Sequence, residues 1–159
     1  MLVGSPDLKS FLAASPLFGG LPDSSLDLLL AMLVERHFEP GSTVFAEGEP
    51  GRSMYIVHSG ELVLSKRGEQ GHSIRIADFG AGDFFGDMTL IEPHNRSGTV
   101  VATSPTVLYE LTAQNLYAYY KADMRAYVVV LQNINRELCR RLRRDDIRIA
   151  RLADGPGEQ

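Results

Sequence analysis

From about residue 36 to residue 111 the apolar positions fall in short runs, each stopped by glycine, proline or a polar cluster. The runs are Thr43-Val44-Phe45, Met54-Tyr55-Ile56-Val57, Leu62-Val63-Leu64, Ile74-Arg75-Ile76, Thr99-Val100-Val101-Ala102 and Val107-Leu108-Tyr109-Glu110-Leu111. The breaks are Pro40-Gly41, Glu47-Gly48-Glu49-Pro50-Gly51, Gly60, the polar stretch 67–72 and Ser104-Pro105. Short strands at this spacing predict an antiparallel sandwich or jelly roll. Strands do not alternate with helices, which argues against a Rossmann-type sheet.

On either side the period changes. Ser5-Pro6 can cap and open a helix over 7–14, with proline at the first helical position. The turn from Pro16 to Pro22 carries apolar residues that must dock elsewhere. Leu26, Leu29, Leu30 and Leu33 recur at helical spacing and predict a second helix over about 24–34. After Thr112, read as an N-cap, a short helix is expected over 115–121 and a long one over about 124–152. The tail 154–159 is expected to be disordered. There is no internal repeat.

The long helix carries its own pattern. Val128, Leu131, Asn135, Leu138, Leu142, Asp145, Ile149 and Leu152 alternate by three and four, an a/d seam across nearly four heptads. Two readings fit: a homodimer through this helix, with Asn135 fixing register, or a stripe packed on the protein's own barrel. Tyr117, Tyr119, Tyr120 and Tyr127 read as helix packing against that barrel.

Composition narrows the class. The chain has 159 residues, 44% apolar and 23% charged, which suits one soluble domain, here taken as 1–153. No run is long enough to span a bilayer. Residues 1–10 lack the charged start and greasy run of a secretory signal. The single cysteine, Cys139, excludes an intramolecular disulfide and a Cys-rich zinc site, and suits a cytoplasmic location. Net charge is −4, but seven Arg between Arg136 and Arg151 face only Glu137, Asp145 and Asp146, a local +4. The acidic remainder argues against a general nucleic-acid binder. Arg140, Arg141, Arg143, Arg144, Arg148 and Arg151 are expected to pair with Asp145, Asp146 or the acidic body, or to dock an acidic partner. The chain ends before a helix-turn-helix could start, so DNA is not expected as a partner.

Candidate chemistry concentrates in Phe84-Phe85-Gly86-Asp87-Met88-Thr89-Leu90-Ile91 and Asn95-Arg96-Ser97-Gly98. Gly80, Gly82 and Gly86 permit close backbone approach. One helical turn over 87–91 would aim unpaired amides at an anion. Arg96 supplies a forked donor for phosphate, Ser97 a hydroxyl, and Asp87 an acceptor for a sugar hydroxyl. The alternative is a glycine-rich turn that closes the barrel, with Arg96 paired to Asp87. His37, His58, His72 and His94 are scattered, so no metal is expected. No nucleophile–base arrangement, Walker loop or paired catalytic carboxylates stand out, so no enzyme is expected.

Five segments carry a more specific resemblance. They are Phe38-Glu39-Pro40-Gly41, Glu47-Gly48-Glu49-Pro50-Gly51, Met54-Tyr55-Ile56-Val57-His58-Ser59-Gly60-Glu61, Gly80-Ala81-Gly82-Asp83-Phe84-Phe85-Gly86 and Arg96-Ser97. Together they resemble a cyclic nucleotide-binding domain, the module of catabolite activators, nucleotide-gated channels and kinase regulatory subunits. The resemblance implies a mainly β fold: an eight-stranded antiparallel jelly roll with N-terminal helices and a long C-terminal helix. It implies a regulatory module in which a cyclic nucleotide such as cAMP or cGMP moves that helix, in a cytoplasmic homodimer.

Carried over, Gly86 and the amides around Thr89 would hold the phosphate. Arg96 would neutralise it, Ser97 would add a hydrogen bond, and Asp87 would meet the ribose. The region 133–142 would cap the base. Three residues depart from the family pattern: Asp87 for glutamate, Thr89 for a smaller residue and Gly98 for alanine. The shorter aspartate would fall roughly 1.5 Å short, costing about 1–3 kcal/mol, on the order of 10- to 100-fold in affinity. Thr89 would add bulk beside the phosphate. A cyclic dinucleotide, or a degenerate scaffold working through the long helix, are the alternatives. Arg96→Ala is expected to remove anion binding and leave the fold intact.

Overall fold

The computed structural model describes residues 6–155; the Ser5 cap and the end of the tail, 156–159, lie outside the described residues. Two helices open the chain, α1 (Pro6–Ala13) and α2 (Asp23–Leu30). Six strands follow: β1 (Val34–Phe38), β2 (Thr43–Phe45), β3 (Ser53–Ser59), β4 (Leu62–Arg67), β5 (Ser73–Phe79) and β6 (Phe84–Phe85). After the single turn α3 (Met88–Ile91) come β7 (Thr99–Ala102) and β8 (Thr106–Thr112), then α4 (Ala113–Ala122) and α5 (Met124–Ala153). The strands form two four-stranded antiparallel sheets, ordered β1-β8-β3-β6 and β2-β7-β4-β5. This is the expected jelly roll with flanking helices.

Inner strand β3 of the first sheet is buried on both faces, which explains why it reads as a continuous run rather than an alternation. Tyr55 and Val57 of β3, Phe85 of β6 and Leu108 of β8 turn into the roll, beside Phe45, Leu62, Val100 and Ala102. Met54, Ile56, Phe84, Tyr109 and Leu111 turn outward under α1, α2, α4 and α5. The sheet therefore supports both a helical layer and the roll interior. The hairpin from β3 to β4 turns at Gly60, whose φ of +98° and contact with Pro105 and Thr106 leave no room for a side chain.

Several boundaries differ from expectation. The second helix ends at Leu30 because Val34 pairs with Glu110 in β1. β1 carries Glu35, Arg36 and His37 and is largely exposed, so no apolar run announces it. Thr112 does cap α4, its Oγ1 accepting from Asn115 N at 3.1 Å. Leu17 and Phe18 dock fully, and buried Asn133 of α5 donates to the Leu17 and Gly19 carbonyls, both at 3.0 Å.

On α5 the predicted seam is not the face that packs on the barrel. Ala126, Val130, Asn133 and Ile134 are buried there. Leu131 and Leu138 are only partly buried, while Val128, Asn135, Leu142, Asp145, Ile149 and Leu152 are exposed. The own-barrel reading thus holds for two seam positions and fails for the rest. Of the tyrosines, Tyr119 is buried and Tyr127 partly so, but Tyr117 and Tyr120 stand exposed. Their rings lie beside each other at a tilt, with centroids 6.0 Å apart, and Tyr120 also meets Tyr127 edge to face.

Candidate functional site

β6 and α3 form one continuous segment that passes from the first sheet across the mouth of the roll, and β7 follows Arg96 into the second sheet. Gly86 makes the bend with a φ of +76°, and a Cβ there would sit 2.8 Å from Arg96 Nη1. Glycine is required on both counts.

Arg96 turns into the protein and is 5% exposed. Its Nη2 donates to Ser53 O at 2.7 Å; its Nη1 donates to Thr89 Oγ1 at 3.2 Å and to Gly86 O at 3.4 Å. The guanidinium lies 4.0 Å from the Phe45 ring centre, a cation–π contact. Burial pulls its pKa below the ordinary value, with the Tyr55, Glu110 and Glu49 side chains opposing. An arginine so placed still keeps its charge.

Thr89 spends its hydroxyl within this network, donating to Gly86 O at 2.9 Å. Its methyl fills the space that a side chain at Gly51 would need. The bulk expected beside a phosphate is thus absorbed by Gly51. Gly98 has a similar account: a Cβ there would come within 2.7 Å of Leu64 Cδ1 and 2.8 Å of Ser65 O. Ser97 is exposed and stands outside the network.

Asp87 does not pair with Arg96, which removes the structural ion pair considered from sequence. Its partner is Arg141 of α5, whose Nη1 donates to Asp87 Oδ1 at 3.0 Å and whose Nη2 donates to Phe84 O at 2.6 Å. Arg141 also lies 5.0 Å from the Phe84 ring centre. Of the expected Arg pairings, those with Asp145 and Asp146 do not occur, while the one with the acidic body does, through Arg141 and Asp87; Arg140, Arg141 and Arg144 also share Glu137. Sequence reasoning treated Arg141 as one of a charge run. The signal was its position: Ala126, Val130, Ile134 and Arg141 lie on one helical face, so a cation continues a buried apolar stripe.

The site therefore holds one carboxylate between an arginine of the helix and a glycine bend, beside a buried guanidinium. Among the described residues, Asp87 Oδ2 and Arg96 Nε are buried without a hydrogen-bond partner. One is an acceptor and the other a cationic donor. None of the five predicted site residues lines the open groove of about 640 Å³ on the second sheet, which is flanked by Ser65, Arg67 and Thr99. No group of three or more metal-ligating side chains occurs among the described residues, and no described helix is long and apolar enough to cross a membrane.

The comparisons agree with this architecture. A family model described as Cyclic nucleotide-binding domain matches residues 35–123. The Cyclic AMP receptor protein of Thermus thermophilus is 33% identical over 139 residues, covering 87% of this chain and 62% of that protein. The CRP-like cAMP-activated global transcriptional regulator of Mycobacterium tuberculosis is 30% identical over 156 residues, covering 94% of this chain and 66% of its own length. The chain thus spans about two thirds of these relatives. Among solved structures, a cyclic nucleotide-binding domain from Methylobacillus flagellatus superposes with a TM-score of 0.83 at 25% identity, covering 96% of this chain and 84% of that one. The expectation that DNA is not a partner finds no support here, because the relatives include transcriptional regulators. With the fold, the glycine bend and the buried arginine in place, the chain belongs to the cyclic nucleotide-binding domain family.

Proposed function

We propose that this chain is a cyclic-nucleotide-binding regulatory module, with Gly86, Asp87, Thr89 and Arg96 forming the ligand site. The phosphate lies against Gly86 and Arg96, with Thr89 bracing the guanidinium, and Ser97 stands at the rim. A sugar hydroxyl donates to Asp87. The observation that carries this reading is the pair of orphaned atoms, Asp87 Oδ2 and Arg96 Nε. Each buried orphan costs on the order of 1–3 kcal/mol. A ligand that offers a hydroxyl and an anionic oxygen satisfies both.

The Arg141 contact supplies the link to α5. The helix holds one oxygen of the carboxylate and the ligand takes the other, so occupancy and helix position act on a single group. Ligand that binds one helix position better than another shifts that equilibrium. The exposed seam Val128, Leu142, Ile149 and Leu152, with Leu131, Asn135 and Leu138 beside it, supports a homodimer through α5. The basic stretch 140–151 offers a surface for an acidic protein partner. The role is regulatory and not enzymatic. The single cysteine and the regulator relatives support a cytoplasmic site of action. The degenerate scaffold is not favoured by the relatives.

Calorimetry with cAMP and its 2′-deoxy analogue tests the site. Saturable binding is expected, with the deoxy ligand roughly tenfold weaker on the native chain. Asp87→Ala should bind the two ligands nearly alike. Flat traces with cAMP, cGMP and a cyclic dinucleotide would refute the reading.

A further inference from the structure

Three neighbouring strands carry a polar line to the back of Arg96. Tyr55 of β3 lies directly across from Glu110 of β8, so both side chains project from the face that turns into the roll. Ser53 stands two residues along β3 on the same face. Arg36 of β1 joins them there, across from Leu108. Arg96 Nη2 donates to Ser53 Oγ, Ser53 Oγ to the Tyr55 hydroxyl, and that hydroxyl to Glu110 Oε1, each at 3.4 Å. Arg36 Nε closes the line on Glu110 Oε2 at 2.8 Å. Ser53 and Tyr55 are buried, the Glu110 side chain is 13% exposed and Arg36 is at the surface.

The two ends fix the direction of the line. A guanidinium only donates and a carboxylate only accepts. Each hydroxyl between them therefore accepts from the Arg96 side and donates towards Glu110. Burial pushes the Tyr55 hydroxyl above its ordinary value, so it keeps the proton it donates. Bonds aligned in one sense polarise one another. Packing does not require this hydroxyl, because Phe45 and Phe85 stand against the same ring without one. Among the described residues the Arg96 side chain donates only to carbonyls and hydroxyls, so its charge is answered by Glu110 through the relay. The inner bonds are long for hydroxyl donors. Their loss should turn the guanidinium rather than unfold the roll.

We infer that Tyr55 and Glu110 are positioning residues for the nucleotide phosphate, acting through Ser53 to orient the Arg96 guanidinium. The inference rests on the reading of Arg96 as the phosphate ligand. The charge of Glu110 alone would do the reverse, since an anion behind the site repels phosphate. The sign of its effect on binding therefore separates orientation from charge.

Calorimetry with cAMP on the full chain tests this, using the native protein, Tyr55→Phe, Glu110→Met and Glu110→Gln. Tyr55→Phe and Glu110→Met are each expected to weaken cAMP roughly fivefold, the worth of one hydrogen bond. Glu110→Gln keeps an acceptor for the Tyr55 hydroxyl and should stay within about twofold of native. Nitrogen-15 spectra of the arginine side chains in the free protein read the orientation directly, with the Arg96 signals identified by their loss in Arg96→Lys. Distinct Nη1 and Nη2 resonances are expected in the native chain and a merged pair in Tyr55→Phe and Glu110→Met. Native affinity in Tyr55→Phe, or tighter cAMP binding by both Glu110 variants, overturns the inference and leaves the nucleotide site standing. So does weaker binding by Tyr55→Phe with unchanged Arg96 resonances, which would mark a merely structural role. Absence of binding of cAMP, cGMP and a cyclic dinucleotide by the native chain overturns the nucleotide site and this inference with it.

Discussion

Arg96 does two jobs at once, and the second could not be read from its neighbours in the chain. Its charge and its place after Asn95 mark it as an anion ligand. Its bonds to Ser53 and Thr89 make it part of the wall of the roll. Arg96→Ala is therefore expected to cost stability as well as anion binding. Removing the guanidinium strips Ser53 O of its donor and empties the space over Phe45. A loss of about 1–3 kcal/mol in urea unfolding is expected, together with loss of nucleotide heat. Arg96→Lys should recover part of the stability and little of the binding, because a single ammonium cannot replace the fork. Native-like stability in Arg96→Ala would contradict the wall role. Arg141 shows the opposite case. It sits among arginines, between Arg140 and Leu142, so only its angular position on α5 distinguished it, and that angle became visible once the buried face was known.

At the scale of elements, strands with strong apolar runs and helices with capping residues were legible, and weakly patterned ones were not. β3, β7 and β8 face apolar neighbours on one or both sides, so their side chains declare them. β1 is held chiefly by pairing with β8, a long-range fact that no local window contains, and the two-residue β6 by pairing with β3 and by burial of both its phenylalanines. The capping chemistry at the junction of α4 and α5 is local on one side only. Asp123 accepts from Ala126 N at 3.0 Å and from Ser25 Oγ at 2.6 Å, so it starts α5 and ties it to α2. The Ser25 hydroxyl and the Ala126 amide lower the pKa of its carboxyl. A lowered folded value means stability that is full above the ordinary carboxylate value and is lost as pH falls through the lowered one. Asp123→Ala is expected to lower the urea midpoint at neutral pH, and the gap from the native chain should close in acid. A gap independent of pH would show that packing, not the charge, is lost.

For the whole molecule the unresolved question in the sequence was which face of α5 meets which surface. Heptad spacing identified an apolar stripe but carries no information about rotation relative to the barrel. The barrel takes Ala126, Val130 and Ile134 and leaves Val128, Leu142, Ile149 and Leu152 outside. Val128→Asp should therefore convert a dimer to a monomer in sedimentation velocity without altering the circular dichroism. A native chain that sediments as a monomer at high concentration would exclude the pairing. The joint between the two ends of the chain has a different consequence. Asn133 holds the carbonyls of Leu17 and Gly19 across 116 and 114 positions, and Ser25 meets Asp123 across 98. A ribosome adds about 5–20 residues each second. The first leucine-rich helices thus emerge on the order of ten seconds before their clasp is made, and during that interval they are substrates for whichever chaperone or protease reaches them first.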